Sequence, residues 1–243
     1  IILATILCNN KANILANYSM STLLITVISL LLIIQPDIGQ TLLVVFSWSV
    51  LIFTSGINIY FLTGIFLIGS ALLAYLIIFV PKFDYIQGRI FSFFNRETGS
   101  HNFQSDKAID SITSGGFFGK GIGEGTLKNR VPEAHTDYII AIISEEYGSI
   151  ISIIIISIFL YISFRIIKNC FNQNSQFLKI SLSGLASLLI FQTFIHAGVN
   201  TNLLPTTGMT LPFLSYGGSS LIGSAILAGI VLNYTKNKSY LYD

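Results

Sequence analysis

Hydrophobic residues in this chain come in long unbroken blocks, not in the short periods of a soluble fold. Residues 1–8 (IILATILC) are apolar but too few to cross a membrane, which takes about 20 residues of helix. They read as the tail of a helix that starts before Ile1, and neither an initiating Met nor a charged lead segment marks a signal peptide. Near-complete apolar spans follow at 19–34, 38–55, 59–80, 138–167, 177–203 and 214–234. The pattern predicts an all-α polytopic transmembrane helical bundle of six full spans plus the N-terminal stub. It also predicts one membrane domain over 1–243, interrupted by a single long hydrophilic loop at 81–137.

Polar residues mark the breaks. Asp37, with Gln40 three positions on, resembles a capping box for the second span. Within the loop, 85–94 alternates apolar and polar residues, as a segment lying on a membrane face would. Residues 96–106 are polar and expected to be mobile, and 107–113 suits one or two helical turns. Pro132 stops any preceding helix. Thr136 is then the predicted N-cap of the fourth span, with Asp137 as its first residue, where a carboxylate suits the helix dipole. Glu145 would lie ~12 Å deeper along that helix, and a carboxylate inside a span is a functional candidate by default.

Composition agrees with the blocks. Charged residues are 10% of the chain, against about 25% in an ordinary soluble domain, and mean hydropathy is +0.73. A net charge of +2 gives no argument for nucleic acid. Cys8 and Cys170 have neither metal nor redox spacing. By span parity, Lys11, Arg165, Lys168, Lys179, Lys236 and Lys238 fall on one side, which is therefore cytoplasmic. Asp37, the long loop and the 202–210 turn fall on the other, so Asp137 is expected to face outward.

Several groups could carry chemistry, each with a plainer alternative. Gly115 to Lys120 fails the P-loop spacing, and no strand precedes it. Its backbone N–H groups, with Lys120, Lys128 and Arg130 near, could hold a diphosphate; tight turns at positive φ are the simpler reading. Asp137, with Glu133 and His135, suits general-base attack on a hydroxyl, and helix capping explains the same spacing equally well. Glu145 and Glu146 point about 100° apart on a helix, so both cannot face one cavity; a structural role suits Glu146. Gln192, His196 and Asn200 recur every four residues as one polar stripe, facing either neighbouring helices or a wet cavity. The break at 211–220 must be buried or line a cavity.

Four blocks together resemble the SEDS family (shape, elongation, division, sporulation) of membrane proteins. They are Pro36-Asp37-Ile38-Gly39; residues 114–123 (SGGFFGKGIG); residues 132–138 (PEAHTDY) with Glu145-Glu146-Tyr147-Gly148; and 204–208 (LPTTG) with 212–220 (PFLSYGGSS). The Glu-Ala-His-Thr-Asp form is more like the division members than the elongation members. The resemblance implies a peptidoglycan glycosyltransferase polymerising lipid II outside the bacterial cytoplasmic membrane, with Asp137 as the catalytic aspartate. It also implies a class B penicillin-binding protein transpeptidase and other division proteins as partners. Family members have about ten spans, so this chain matches their C-terminal portion. Lys120, Lys128 and Arg130 are expected to stabilise diphosphate charge, with Glu133 and His135 beside the substrate. No metal-ligating residue set is expected; a divalent cation is the one candidate cofactor. The competing readings are a lipid II flippase or carrier, a non-catalytic division scaffold, and an inactive gene fragment.

Overall fold

The computed structural model describes residues 1–9, 13–80, 83–94, 100–131 and 134–236. Among them the regular structure is entirely helical. Four helices are long and apolar enough to cross a membrane: α2 (Ile14–Ile34), α10 (Ser149–Phe171), α11 (Gln176–Asn200) and α12 (Gly218–Thr235). The short α1 (Ile2–Leu7), the 17-residue α3 (Ile38–Thr54) and α4 (Ile59–Phe79) are apolar as well. The expected capping box forms in part: the Asp37 carboxylate accepts the Gln40 N–H at 3.0 Å and starts α3.

The long loop is more ordered than its polarity suggests. It carries α5 (Asp84–Phe94), α6 (Ser100–Gly115), α7 (Leu127–Arg130) and α8 (Ala134–Asp137). The mobility expected over 96–106 is thus corrected from Ser100 onward: α6 runs sixteen residues, because Ala108 is fully buried and Ile112 packs beside it. The other half of that stretch lies outside the described residues.

The span expected at 138–167 is also corrected. It is two helices, α9 (Ile139–Tyr147) and α10, broken at Gly148 with φ +93°. A Cβ at Gly148 would collide with the Phe117 carbonyl, so only glycine permits the two backbones to meet there.

The packing centre is α11, with α3 and α10 against it. One core cluster matters most for position. Leu43 of α3, Leu127 of α7, Tyr138 just before α9, Ala141 and Ile142 of α9, Ile195 and Val199 of α11, and Met209 belong to it. Leu127 and Tyr138 are 1% and 2% exposed, and side chains of that size contribute about 1.5–3 kcal/mol each when buried. This cluster fixes the loop helices onto the ends of α3 and α11.

Candidate functional site

A helix of one turn has no stability of its own, since nucleation is unfavourable and its last carbonyls lack partners. Yet α8, which carries Asp137, is held at three successive carbonyls. The Tyr216 N–H donates to His135 O at 3.0 Å. The Ser215 hydroxyl donates to Thr136 O at 2.6 Å and accepts the Leu211 N–H at 2.8 Å. The Asn200 Nδ2 donates to Asp137 O at 3.0 Å.

Asn200 also closes the joint between α8 and α9. Its Oδ1 accepts the Ala141 N–H at 3.0 Å, one of the donors that a helix start leaves without an internal partner. Its Nδ2 further donates to His196 O at 2.8 Å. Because Ala141 offers a donor, the orientation of the amide is forced. The expectation that Thr136 caps the span and Asp137 opens it is therefore corrected. The chain bends at Tyr138 (φ −122°, ψ 29°), Asp137 closes α8, and the capping is done from α11.

The polar stripe supplies the rest of the scaffold by gripping the segment after α11. His196 Nδ1 lies 2.7 Å from Met209 O, and Gln192 Nε2 donates to Thr210 O at 2.9 Å. The start of α3 closes the other side: a Cβ on Gly39 would sit 2.6 Å from Met209 Cγ and 2.9 Å from Thr207 O. Between these walls lies Gly208, at φ +69°, with Asp137 Oδ2 3.7 Å from where its Cβ would be. Asp137 is half-buried there.

Arg89 of α5 reaches the same segment, its Nη1 donating to Thr206 O at 2.9 Å. Burial pushes the Tyr138 phenol up; the Asp137 charge adds to that rise and Arg89 opposes it. The two charges therefore act on one ring from within the same neighbourhood. An apolar cavity of about 290 Å³ opens beside Arg89 and Thr206, walled by Ile38, Leu42, Ile86 and Leu204. Arg89 had no signal in the sequence, being one basic residue in a mixed polar stretch.

The other expected site residues divide. His135 is exposed on α8 with Asp137. Arg130 is exposed at the end of α7. Glu133 and the Lys128 side chain lie outside the described residues. Lys120 is drawn elsewhere: its Nζ is 3.1 Å from Glu145 Oε1. Glu145 is fully buried and also accepts the Thr126 hydroxyl at 3.1 Å and the Leu127 N–H at 3.0 Å. It ties the glycine loop to α9 and starts α7, so the structural carboxylate is Glu145.

The glycine loop is likewise committed. The Lys120 and Gly121 N–H groups donate to Glu145 O and Glu146 O at 2.9 and 3.1 Å, ending α9. Gly115 and Gly119 pack where a Cβ would strike Ser144 O and Glu146 O. These donors serve the fold, as the simpler reading held. Among the described residues, no three His, Cys, Asp or Glu side chains gather as metal ligands.

The model of the FtsW/RodA/SpoVE cell cycle protein family matches residues 1–240. A probable peptidoglycan glycosyltransferase FtsW of Caulobacter vibrioides is 35% identical over 224 residues, covering 92% of this chain and 56% of that protein. One from a Geobacter species is 36% identical over 214 residues, 87% and 58% of the two chains. The chain spans about half the length of the curated relatives it matches. Among solved structures, a chain from a work on structural coordination of polymerization and crosslinking by a peptidoglycan synthase complex superposes with TM-score 0.77 at 26% identity, over 96% of this chain and 66% of that one. A mutant of the rod shape determining protein RodA of Thermus thermophilus gives TM-score 0.65 at 26% identity, over 98% and 62%.

Proposed function

Because the chain belongs to the FtsW/RodA/SpoVE family of cell cycle proteins, we propose that it acts in a peptidoglycan glycosyltransferase polymerising lipid II during cell division. Asp137 is the general base. It takes the proton from the acceptor sugar's 4-hydroxyl while that oxygen attacks the donor's anomeric carbon. Undecaprenyl diphosphate departs with the bonding pair. The observation that carries this reading is the fixing of three consecutive α8 carbonyls, which holds the backbone that bears Asp137 in place before substrate arrives. Preorganisation of that kind is what general-base chemistry needs.

Supporting groups follow. Lys128 and Arg130 stabilise the diphosphate charge, and Glu133 and His135 stand beside the acceptor. Lys120 serves the fold first. A cavity that is apolar along its walls suits the isoprenoid body of the substrate. Any divalent cation would ride chiefly on the substrate's diphosphate oxygens.

The protein lies in the bacterial cytoplasmic membrane. Helices α2, α3, α4, α10, α11 and α12 are its six spans and α1 the stub. Asp137 and the 81–137 loop are extracytoplasmic, where a class B penicillin-binding protein and other division proteins meet it. The test is Asp137→Ala and Asp137→Asn in the full-length protein with its transpeptidase. Polymer formation is expected to fall about 100-fold or more, the usual worth of a general base. Polymerisation near the wild-type rate would refute the assignment, and lipid II crossing vesicle membranes with no polymer formed would favour a carrier.

A further inference from the structure

The glycine loop between α6 and α7 is built inside out for a segment in water. Its cation, Lys120, turns back onto the buried Glu145 carboxylate. Its large apolar side chains point away: Phe117, Phe118 and Ile122 are 73%, 86% and 77% exposed. A solvated loop places these the other way round, with charges outward and aromatic rings covered. Scattered apolar residues need no explanation, but three such side chains within six positions, opposite an internally neutralised lysine, form a patch.

The position of the patch says what covers it. The Ser149 N–H and hydroxyl both donate to Gly116 O, at 2.9 and 2.8 Å. Ser149 is the first residue of α10, a candidate membrane span. The loop is therefore bolted to the point where α10 enters the bilayer. The outward apolar face of α10 starts there too, with Ile150, Ile153 and Ile154 exposed. Phe117 and Phe118 lie beside that start, since a Cβ on Gly148 would strike the Phe117 carbonyl. Glu124 is exposed at the loop's far end, which keeps the insertion shallow.

We propose that the Phe117–Ile122 loop is an interfacial anchor, seated in the bilayer at the boundary of headgroups and acyl chains. Apolar side chains on such elements reach about 5–10 Å into that boundary. The proposal depends on α10 crossing a membrane and not on the sugar chemistry. Its consequence is positional. The anchored loop grips α9 through Glu145, and α9 begins two residues after Asp137, so the anchor sets the height of the aspartate above the lipid surface.

Trp48 is the single tryptophan of residues 1–243. In the full-length protein Trp48 and every tryptophan outside residues 1–243 are replaced by Phe, Phe118→Trp is added as the one reporter, and the variant is reconstituted in nanodiscs of phosphatidylethanolamine and phosphatidylglycerol. Lipids brominated near the headgroup end of the acyl chain are expected to quench the emission by about half or more, and lipids brominated near the chain end by less, as a shallow seat requires. Absence of quenching overturns the proposal, whether the emission is that of a ring in water or of one covered by protein. Ile122→Trp, on the same face, is the second reporter if the first variant does not fold, and the same outcomes apply to it.

Discussion

Replacing Asn200 with alanine is the most direct test of how the Asp137 turn is held. Asn200 is fully buried, and its amide serves Asp137 O, Ala141 N–H and His196 O. The His196 carbonyl lies inside α11 and keeps its helical partner. The other two groups lose theirs. A buried polar group left unpaired costs about 1–3 kcal/mol, so the pair costs about 2–4 kcal/mol once some water enters the gap. At about 1.4 kcal/mol per tenfold, opening of the α8–α9 joint becomes roughly 30- to 700-fold more favourable. Hydrogen–deuterium exchange on the full-length protein in nanodiscs reads this directly. Amides over 134–147 should exchange faster by that factor, while those in the middle of α10 should not change. The polymerisation rate should fall about 100-fold, the usual consequence of misplacing a reacting group by an ångström. Asn200→Asp keeps the acceptor for Ala141 but loses the donor to Asp137, and acid should rescue it as the carboxyl regains a proton. Exchange over 134–147 within about threefold of wild type in Asn200→Ala would refute the account.

The Lys120–Glu145 pair should act on stability rather than on substrate affinity: Lys120→Ala should cost about 1–3 kcal/mol, below the range for a fully buried pair because the lysine is 36% exposed, and a raised KM for lipid II at unchanged stability would return Lys120 to the substrate site. Burial alone would raise Glu145, but the bonds from Leu127, Thr126 and Lys120 hold its carboxyl below its ordinary 4.5; its stabilisation is therefore present above pH 4.5 and lost as pH falls through the folded value, so Glu145→Gln should flatten the acid limb of a thermal-unfolding profile. Gly39→Ala should separate α3 from the 207–209 segment and lower both stability and polymerisation, whereas Gly64→Ala in α4, with nothing within 4 Å of the added methyl, should be neutral or stabilising by about 0.5–1 kcal/mol.

The legible parts of this fold were those with local physical causes. The Asp37 cap could be read because donor and acceptor lie three residues apart. The stripe of Gln192, His196 and Asn200 could be read because a helix repeats it; interhelical bonding holds for Asn200, whereas Gln192 and His196 bond the non-helical segment at 209–210. Its partners could not be read, because they are backbone atoms of Thr210, Met209, Asp137 and Ala141, and a backbone carbonyl has no signature in sequence. The break at Gly148 was hidden for a different reason. Apolar residues continue on both sides of it, and hydropathy does not register a helix that stops and restarts in a new direction. The buried pair at Glu145 and the Arg89 bond to Thr206 join residues 25 and 117 positions apart. No local pattern predicts such pairs, and while Asp137 stood out beside Glu133 and His135 and in the family motif, the bonds that hold its turn did not.

The clasp on α8 also has a consequence in time. Its fastening atoms belong to residues 63 to 81 positions downstream of the ones they hold. A nascent chain that has only just passed Asp137 carries the carboxylate on a turn that none of these three bonds yet steadies. Two more hydrophobic stretches must be threaded, and Ser215 synthesised, before the turn can lock. Assembly thus imposes a delay: a chain halted before Tyr216 carries α8 without its clasp.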